Sequence, residues 1–268
     1  MRSALARELA RLKTLVRLRR PSPTLELVRA DPANLLALAG RPPDPWQARL
    51  LRSPARRMLI LCCRQAGKST TGAALALRTA LLQPGSLTLL LSPTLRQSGE
   101  LFRKVTALDR ALGRPVAAVR ETALTLELAN GSRVVALPGD EQGVRGFSGP
   151  ALVVLDEAAR VGDALYAAVR PMLSTSGGAL AGLTTPFGKR GWFYDAWASD
   201  QPWERVRVTA PECPRIPEEF LREERRALGG RWYRQEYECS FEDAVDTVFR
   251  RDDILAALTG DVRPLFGE

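Results

Sequence analysis

The sequence predicts an α/β fold: a mostly parallel sheet flanked by helices, with a small helical lid. Three observations predict it. Four short apolar runs, at 58–62, 87–91, 151–155 and 179–183, lack the polar alternation of a half-solvated strand, as strands covered on both faces do. Helical patterns separate several of them, at 71–82, 95–112 and 164–173, where apolar residues recur every three or four positions. A loop ending in Gly67-Lys68-Ser69 joins the first apolar run to the first of these helices. Strand, tight loop and helix in that order are the context of a phosphate-binding loop.

Taken in order, the elements begin with a basic segment. Residues 1–20 carry Arg2, Arg7, Arg11, Lys13, Arg17, Arg19 and Arg20 against Glu8 alone, so +6 of the net +9 charge lies there. Leu5, Leu9, Leu12 and Val16 recur at helical spacing, which predicts a basic amphipathic helix. Such a helix can grip DNA phosphates or an acidic partner, or stand solvated with one face docked on the domain. Its Arg-rich, acid-poor composition is also that of a mitochondrial transit peptide. Pro21 and Pro23 end it, and a Pro-rich approach follows at 31–45, with a short helical stretch at 33–39. Between the second and third apolar runs, 122–128 and 133–137 flank Asn130-Gly131, a strong hairpin signal. Beyond Val208 the chain turns to Pro-bounded, charged helices at 217–228 and 230–238, then a short helical stretch at 253–258. The expected divisions are 1–43 for the basic helix and approach, 44–208 for the core, 209–248 for the lid and 249–268 for a linker.

Composition narrows the chemistry. The chain has 268 residues, 45% hydrophobic and 26% charged, enough for one large core or a core plus a subdomain. No apolar run approaches the ~20 residues that span a bilayer, so no membrane partner is expected. There is no histidine, and Cys62, Cys63, Cys213 and Cys239 form no CxxC pair. That excludes histidine-based catalysis and the usual zinc spacing. Reduced cytosolic thiols are the simplest reading.

Two stretches carry the chemistry. In the first, residues 62–70, backbone N–H groups and a helix N-terminus can surround a triphosphate. Lys68 would neutralise β/γ-phosphates and the Ser69 hydroxyl would ligate Mg²⁺. The first glycine of the usual GxxxxGK[ST] pattern is Cys62 here. In the second, Leu152-Val153-Val154-Leu155 runs into Asp156-Glu157, as a buried strand whose carboxyl end opens on the crevice where α/β sheets bind ligands. Asp156 would hold Mg²⁺ and Glu157 would orient and deprotonate the attacking water. Gln47, in Pro45-Trp46-Gln47, can offer a donor and an acceptor to an adenine edge. Thr185, in Thr184-Thr185-Pro186, follows the fourth apolar run, where a hydroxyl can sense a γ-phosphate; Ser92-Pro93-Thr94 occupies a similar position after the second.

Together Trp46-Gln47, Cys63-Arg64-Gln65-Ala66-Gly67-Lys68-Ser69, Asp156-Glu157-Ala158-Ala159 and Thr184-Thr185-Pro186 resemble the ATPase (motor) domain of the large terminase subunit of tailed bacteriophages or prophages. The resemblance runs from about Asp44 to Val248. It implies a P-loop NTPase (ASCE-type) core, and a Mg²⁺-dependent ATPase that drives double-stranded DNA into a procapsid. It implies a homo-oligomeric ring, usually a pentamer, with portal protein and the small terminase subunit as partners, in the cytoplasm of a bacterial host and transiently at the procapsid. An isolated copy is expected to be a monomer. The nucleotide would be held by Gln47, Arg64, Gln65, Ala66, Gly67, Lys68, Ser69, Thr70 and Thr185, and Mg²⁺ by Ser69 and Asp156. Glu157 would be the catalytic base and Thr185 a coupling residue. Arg64, inside the loop, marks the family apart from most other NTPases. Family members also use a neighbouring subunit's arginine; Arg120 is the first candidate here and Arg145 the second.

One departure is expected. Large terminases normally continue into an RNase H-like nuclease domain, and the ~20 residues after Val248 cannot form one, so no nuclease activity is expected of this chain. A helicase-like translocase and a non-hydrolysing DNA- or capsid-binding module with a degenerate loop are the competing readings.

Overall fold

The computed structural model describes residues 22–242 and Ala257. The basic helix expected over 1–20 lies outside them, as does the stretch at 253–258 apart from Ala257. Two short helices open the described chain, α1 (Pro23–Ala30) and α2 (Asn34–Leu38). Pro23 begins α1 where a backbone N–H has no helical partner in any case. Val28, Leu35 and Leu36 are fully buried, so this stretch is part of the core and not merely an approach to it. Helix α3 (Pro45–Arg52) follows, its N-terminus closed by Asp44 and Gln47 in a reciprocal capping box that satisfies two otherwise orphaned N–H groups.

The alternation then runs as predicted through β1 (Arg57–Cys62), α4 (Lys68–Leu82), β2 (Leu87–Ser92) and α5 (Leu95–Ala111). A meander of β3 (Ala118–Glu121), β4 (Thr125–Leu128) and β5 (Arg133–Pro138) leads to the one-turn α6 (Glu141–Val144). Next come β6 (Leu152–Asp156), a 3-10 turn at Ala158–Arg160, α7 (Asp163–Ser176) and β7 (Ala179–Thr184). The described chain continues through α8 (Gly191–Ala198), β8 (Glu204–Val208) and the lid helix α9 (Glu218–Tyr237). The two helices expected in the lid are the two arms of α9, separated at Gly229, whose φ of 71° and ψ of 163° are not helical.

The eight strands among the described residues form one sheet in the order β3-β4-β5-β2-β6-β7-β1-β8. The six from β5 to β8 in that order are parallel; β4 runs antiparallel to β5 and β3. The Asn130-Gly131 turn makes the β4–β5 hairpin, with Gly131 at φ +82° and the Asn130 side chain accepting from the Ser132 amide. Strands β1, β2, β6 and β7 are almost wholly buried, which is why their sequences are continuous apolar runs. Helix α4 is enclosed as well: Ala73, Ala74, Leu75, Ala76 and Leu77 are all fully buried, and its alanines let neighbouring elements approach closely. Each leucine so enclosed contributes roughly 1.5–3 kcal/mol.

This order fixes the site. Strand β7 lies between β1 and β6, so the loop after β1, the acids ending β6 and the threonines ending β7 emerge side by side at one edge of the parallel sheet. Crevices at the carboxyl ends of such strands are where open α/β sheets bind ligands.

Candidate active site

The loop after β1 is held by backbone geometry and by three outside contacts. Gln65 (φ +62°) and Gly67 (φ +89°) adopt left-handed conformations, which curl the loop back toward the start of α4. A Cβ at Gly67 would lie 3.0 Å from Gln47 Nε2 and 3.5 Å from an Arg215 nitrogen, so glycine is required twice over, by φ and by space. The Arg64 amide donates to the Glu236 carbonyl at 3.1 Å, and its guanidinium pairs with the Glu236 carboxylate. The end of the lid helix therefore rests on the loop. From another direction Arg215 donates to the Ala66 carbonyl at 3.0 Å and grips Asp44 with both nitrogens, at 2.8 and 2.6 Å.

Lys68 opens α4 and is nearly buried. Its ammonium pairs with Glu157 Oε1 and lies 3.9 Å from Asp156 Oδ1. Asp156 ends β6, and burial pushes its carboxyl above the usual carboxylate range, against the pull of Lys68. It is hydrogen-bonded to the Ser69 side chain and accepts from the Glu157 amide at 3.1 Å. Glu157 itself sits at φ +53°, ψ +42°, a conformation rare for a residue with a side chain. That turn swings its carboxylate out of the strand line and over the cavity.

Lys68, Ser69, Thr70, Gln65, Arg64, Gly67, Glu157 and Thr185 line one cavity of about 600 Å³. Arg64, Lys68, Lys104 and Arg160 surround it, against Glu157 as the lining acid. A pocket so cationic favours a polyanion, since charge attraction strengthens where water is partly displaced. The donor set also fits a magnesium ion: Ser69 and Asp156 present hard oxygens in mutual contact, and Mg²⁺ binds through one or two carboxylates plus substrate phosphates. Among the described residues no cluster of three or more His, Cys, Asp or Glu could hold a metal by itself.

Other expected residues fall in different places. Ala66 is buried in the loop and contributes its carbonyl to Arg215. Gln47 borders a second cavity of about 280 Å³, with Leu36, Arg41, Pro42, Gly67, Thr70 and Arg215. Its amide accepts from the Asp44 N–H and donates to Thr71 Oγ1 at 2.9 Å. Arg120 lies on the edge strand β3, 64% exposed and 3.7 Å from Glu127. Arg145 is 2.9 Å from Glu141 on α6. Neither lines the main cavity. Thr185 does, and Thr184 beneath it donates to the Thr185 carbonyl and accepts from the Ala159 amide at 3.3 Å.

Sequence reasoning missed Arg160, Lys104, Gln97 and Arg215. Arg160 follows Glu157 by three residues, a spacing that could have flagged it; the others reach the site only through tertiary approach. All four cysteines are free and buried, with Cys63 and Cys213 sulfurs 3.7 Å apart. Burial pushes the Cys239 thiol up to about 12, so it stays protonated and inert.

A parallel sheet with a phosphate loop on one strand and paired acids on another defines a P-loop nucleotide-binding domain. The family model for the terminase large subunit, T4likevirus-type, N-terminal, matches residues 59–256. The chain belongs to that family. The large terminase subunit of Thermus phage G20c is 26% identical over 258 residues, 82% of this chain and 53% of that protein. That of Escherichia phage T5 is 27% identical over 224 residues, covering 78% and 50%. The chain thus spans about half the length of the curated relatives it matches. Among solved structures, the large terminase ATPase domain of Thermus phage P74-26 superposes with a TM-score of 0.68 at 23% identity, over 77% of this chain and 97% of that one. The large terminase of another thermophilic bacteriophage, solved in complex with ADP, gives a TM-score of 0.60 at 16% identity, over 74% and 53%. These likenesses establish the fold. No helix among the described residues is long and apolar enough to cross a membrane.

Proposed function

We propose that this chain is a Mg²⁺-dependent ATPase domain that drives double-stranded viral DNA into a procapsid. The observation that carries the reading is the meeting of Lys68, Ser69, Asp156 and Glu157 at the carboxyl ends of strands in one parallel sheet, in a member of the terminase family. A large terminase similar in fold has been solved with ADP and with ATP-γ-S, which supports a nucleotide as ligand.

Mg²⁺, held by Ser69 and Asp156, would neutralise charge on the β/γ-phosphates. Lys68 leaves Glu157 to meet the same oxygens. The freed carboxylate of Glu157 then accepts a proton from the attacking water. Arg64, Gln65, Ala66, Gly67 and Thr70 cradle the phosphates, Gln47 meets the base by exchanging its bonds to Asp44 and Thr71, and Thr185 follows the γ-phosphate. Arg120, exposed on an edge strand, supplies the transition-state charge to a neighbouring copy in a ring; Arg145 is the alternative. Portal protein, the small terminase subunit and DNA are the partners, in the bacterial cytoplasm and transiently at the procapsid. The helicase-like and non-hydrolysing readings are not favoured by membership of this family.

Phosphate release from MgATP, with and without linear duplex DNA, tests the reading. Turnover stimulated by DNA and lost in Lys68→Ala supports it; turnover in Lys68→Ala equal to wild type overturns it.

A further inference from the structure

Arg160 is a cation of the main cavity that the phosphate loop does not account for. It lies one 3-10 turn beyond Glu157, with its Nε 3.9 Å from Glu157 Oε2. The other oxygen of that carboxylate, Oε1, is taken by Lys68. Glu157 is thus bracketed by two cations, one on each oxygen. A nucleotide draws Lys68 toward its phosphates, leaving Arg160 as the cation beside the carboxylate. Arg160 is in turn anchored on a different segment: its guanidinium carbon lies 4.1 Å from the centroid of the Phe187 ring, and Arg190 lies 5.0 Å from the same ring. A guanidinium over an aromatic face is attracted by the ring quadrupole and loses rotational freedom there. Phe187 belongs to the stretch that leaves β7, immediately after Thr185 and Pro186. A second tie joins the same two segments, the Ala159 amide donating to Thr184 Oγ1.

We propose that Arg160 is a positioning residue for Glu157. Held on Phe187, it keeps the carboxylate aimed into the cavity once Lys68 has turned to the nucleotide, so the aim of Glu157 depends on the segment after β7. The inference rests on Glu157 being the base of an ATPase.

The test is steady-state MgATP hydrolysis by the full chain in the presence of duplex DNA. It compares wild type with Arg160→Ala, Arg160→Lys, Phe187→Leu, Phe187→Tyr and Glu157→Gln, each checked for an unchanged melting temperature. Misaiming a reacting group costs about 10–100-fold, so Arg160→Ala should lower kcat by that factor with KM within about twofold. Arg160→Lys should recover part of the loss. Phe187→Leu, which keeps an apolar side chain but not the π face, should lower kcat; Phe187→Tyr should hold it. Wild-type kcat in Arg160→Ala overturns the proposal. So does a raised KM at constant kcat, which would make Arg160 a plain phosphate ligand. Equal kcat for the Leu and Tyr variants removes the tie to Phe187. Glu157→Gln separates the two levels: if it turns over normally the ATPase reading of the site fails. If it is dead while Arg160→Ala is normal, only this inference fails.

Discussion

Lys68 and Glu157, 89 positions apart in the chain, are joined as an ion pair across the floor of the main cavity. In this arrangement the cation proposed to meet phosphate is already paired with the carboxylate proposed to activate water. A triphosphate must compete for it. Glu157→Gln removes the competitor along with the proposed base. Nucleotide affinity should therefore hold or rise, while hydrolysis falls by about 10²–10⁴-fold, the usual contribution of a general base. A fluorescent-nucleotide titration beside single-turnover phosphate release checks both halves.

The Arg215–Asp44 grip predicts a coupled pair. Asp44 caps α3 and Arg215 also reaches the loop carbonyl of Ala66, so one guanidinium braces two elements of the site. Arg215→Ala should raise the KM for ATP several-fold. Combined with Asp44→Asn it should prove non-additive by about 1 kcal/mol, within the usual range for contacting pairs. Denaturant unfolding of the two single variants and the double variant measures that term; strict additivity would show the grip to be idle.

At Gly67 the prediction concerns shape. An alanine there must hold a left-handed backbone, at a cost of roughly 1–2 kcal/mol, and press its methyl against Gln47 and Arg215. Gly67→Ala should melt at a lower temperature and bind nucleotide more weakly, with Lys68 untouched. Calorimetry and a binding isotherm on one preparation decide it.

Asp109 on α5 gives a pH prediction. Burial pushes its carboxyl up to about 6, with Arg114 pulling the other way, and its Oδ1 has no hydrogen-bond partner. In the unfolded chain the group ionises near 3.8. Between those values the folded state binds the extra proton, so stability is lost as pH rises from about 4 through about 6 and stays lost above. Asp109→Asn abolishes that loss. It should be more stable than wild type at pH 8 by about 1–3 kcal/mol, the worth of a shift of this size, and keep only about a third of that advantage at pH 4.5. Thermal unfolding at the two pH values reads the difference directly.

How far the fold was legible followed burial. Strands β1, β2, β6 and β7 are covered on both faces, so their apolar runs announced them. Strand β8 reads Glu-Arg-Val-Arg-Val and buries only Val206 and Val208; at the sheet edge a strand needs one apolar side, and so brief an alternation did not stand out among charges. Helix α3 hid behind Pro45, which reads as an extended approach until the Asp44–Gln47 capping box is seen to start a helix there. In the site, Lys68, Ser69, Asp156 and Glu157 were legible because backbone turns at strand ends fix such residues locally. Lys104, Arg160 and Arg215 were not, because an arginine or lysine on a helix or loop looks the same whether it faces water or a cavity. Gln47 was legible as an amide with two functions, yet capping α3 and bonding Thr71 already use them both.

The left-handed backbone at Glu157 sets the interests of the fold against those of the reaction. A side chain in that conformation carries strain of about 1–3 kcal/mol, which asparagine or glycine would relieve. A substitution that relieved this strain would yield a hardier protein without the carboxylate proposed to activate water. Holding a carboxylate at that turn sets robustness against readiness, the trade expected wherever a strained side chain serves a site.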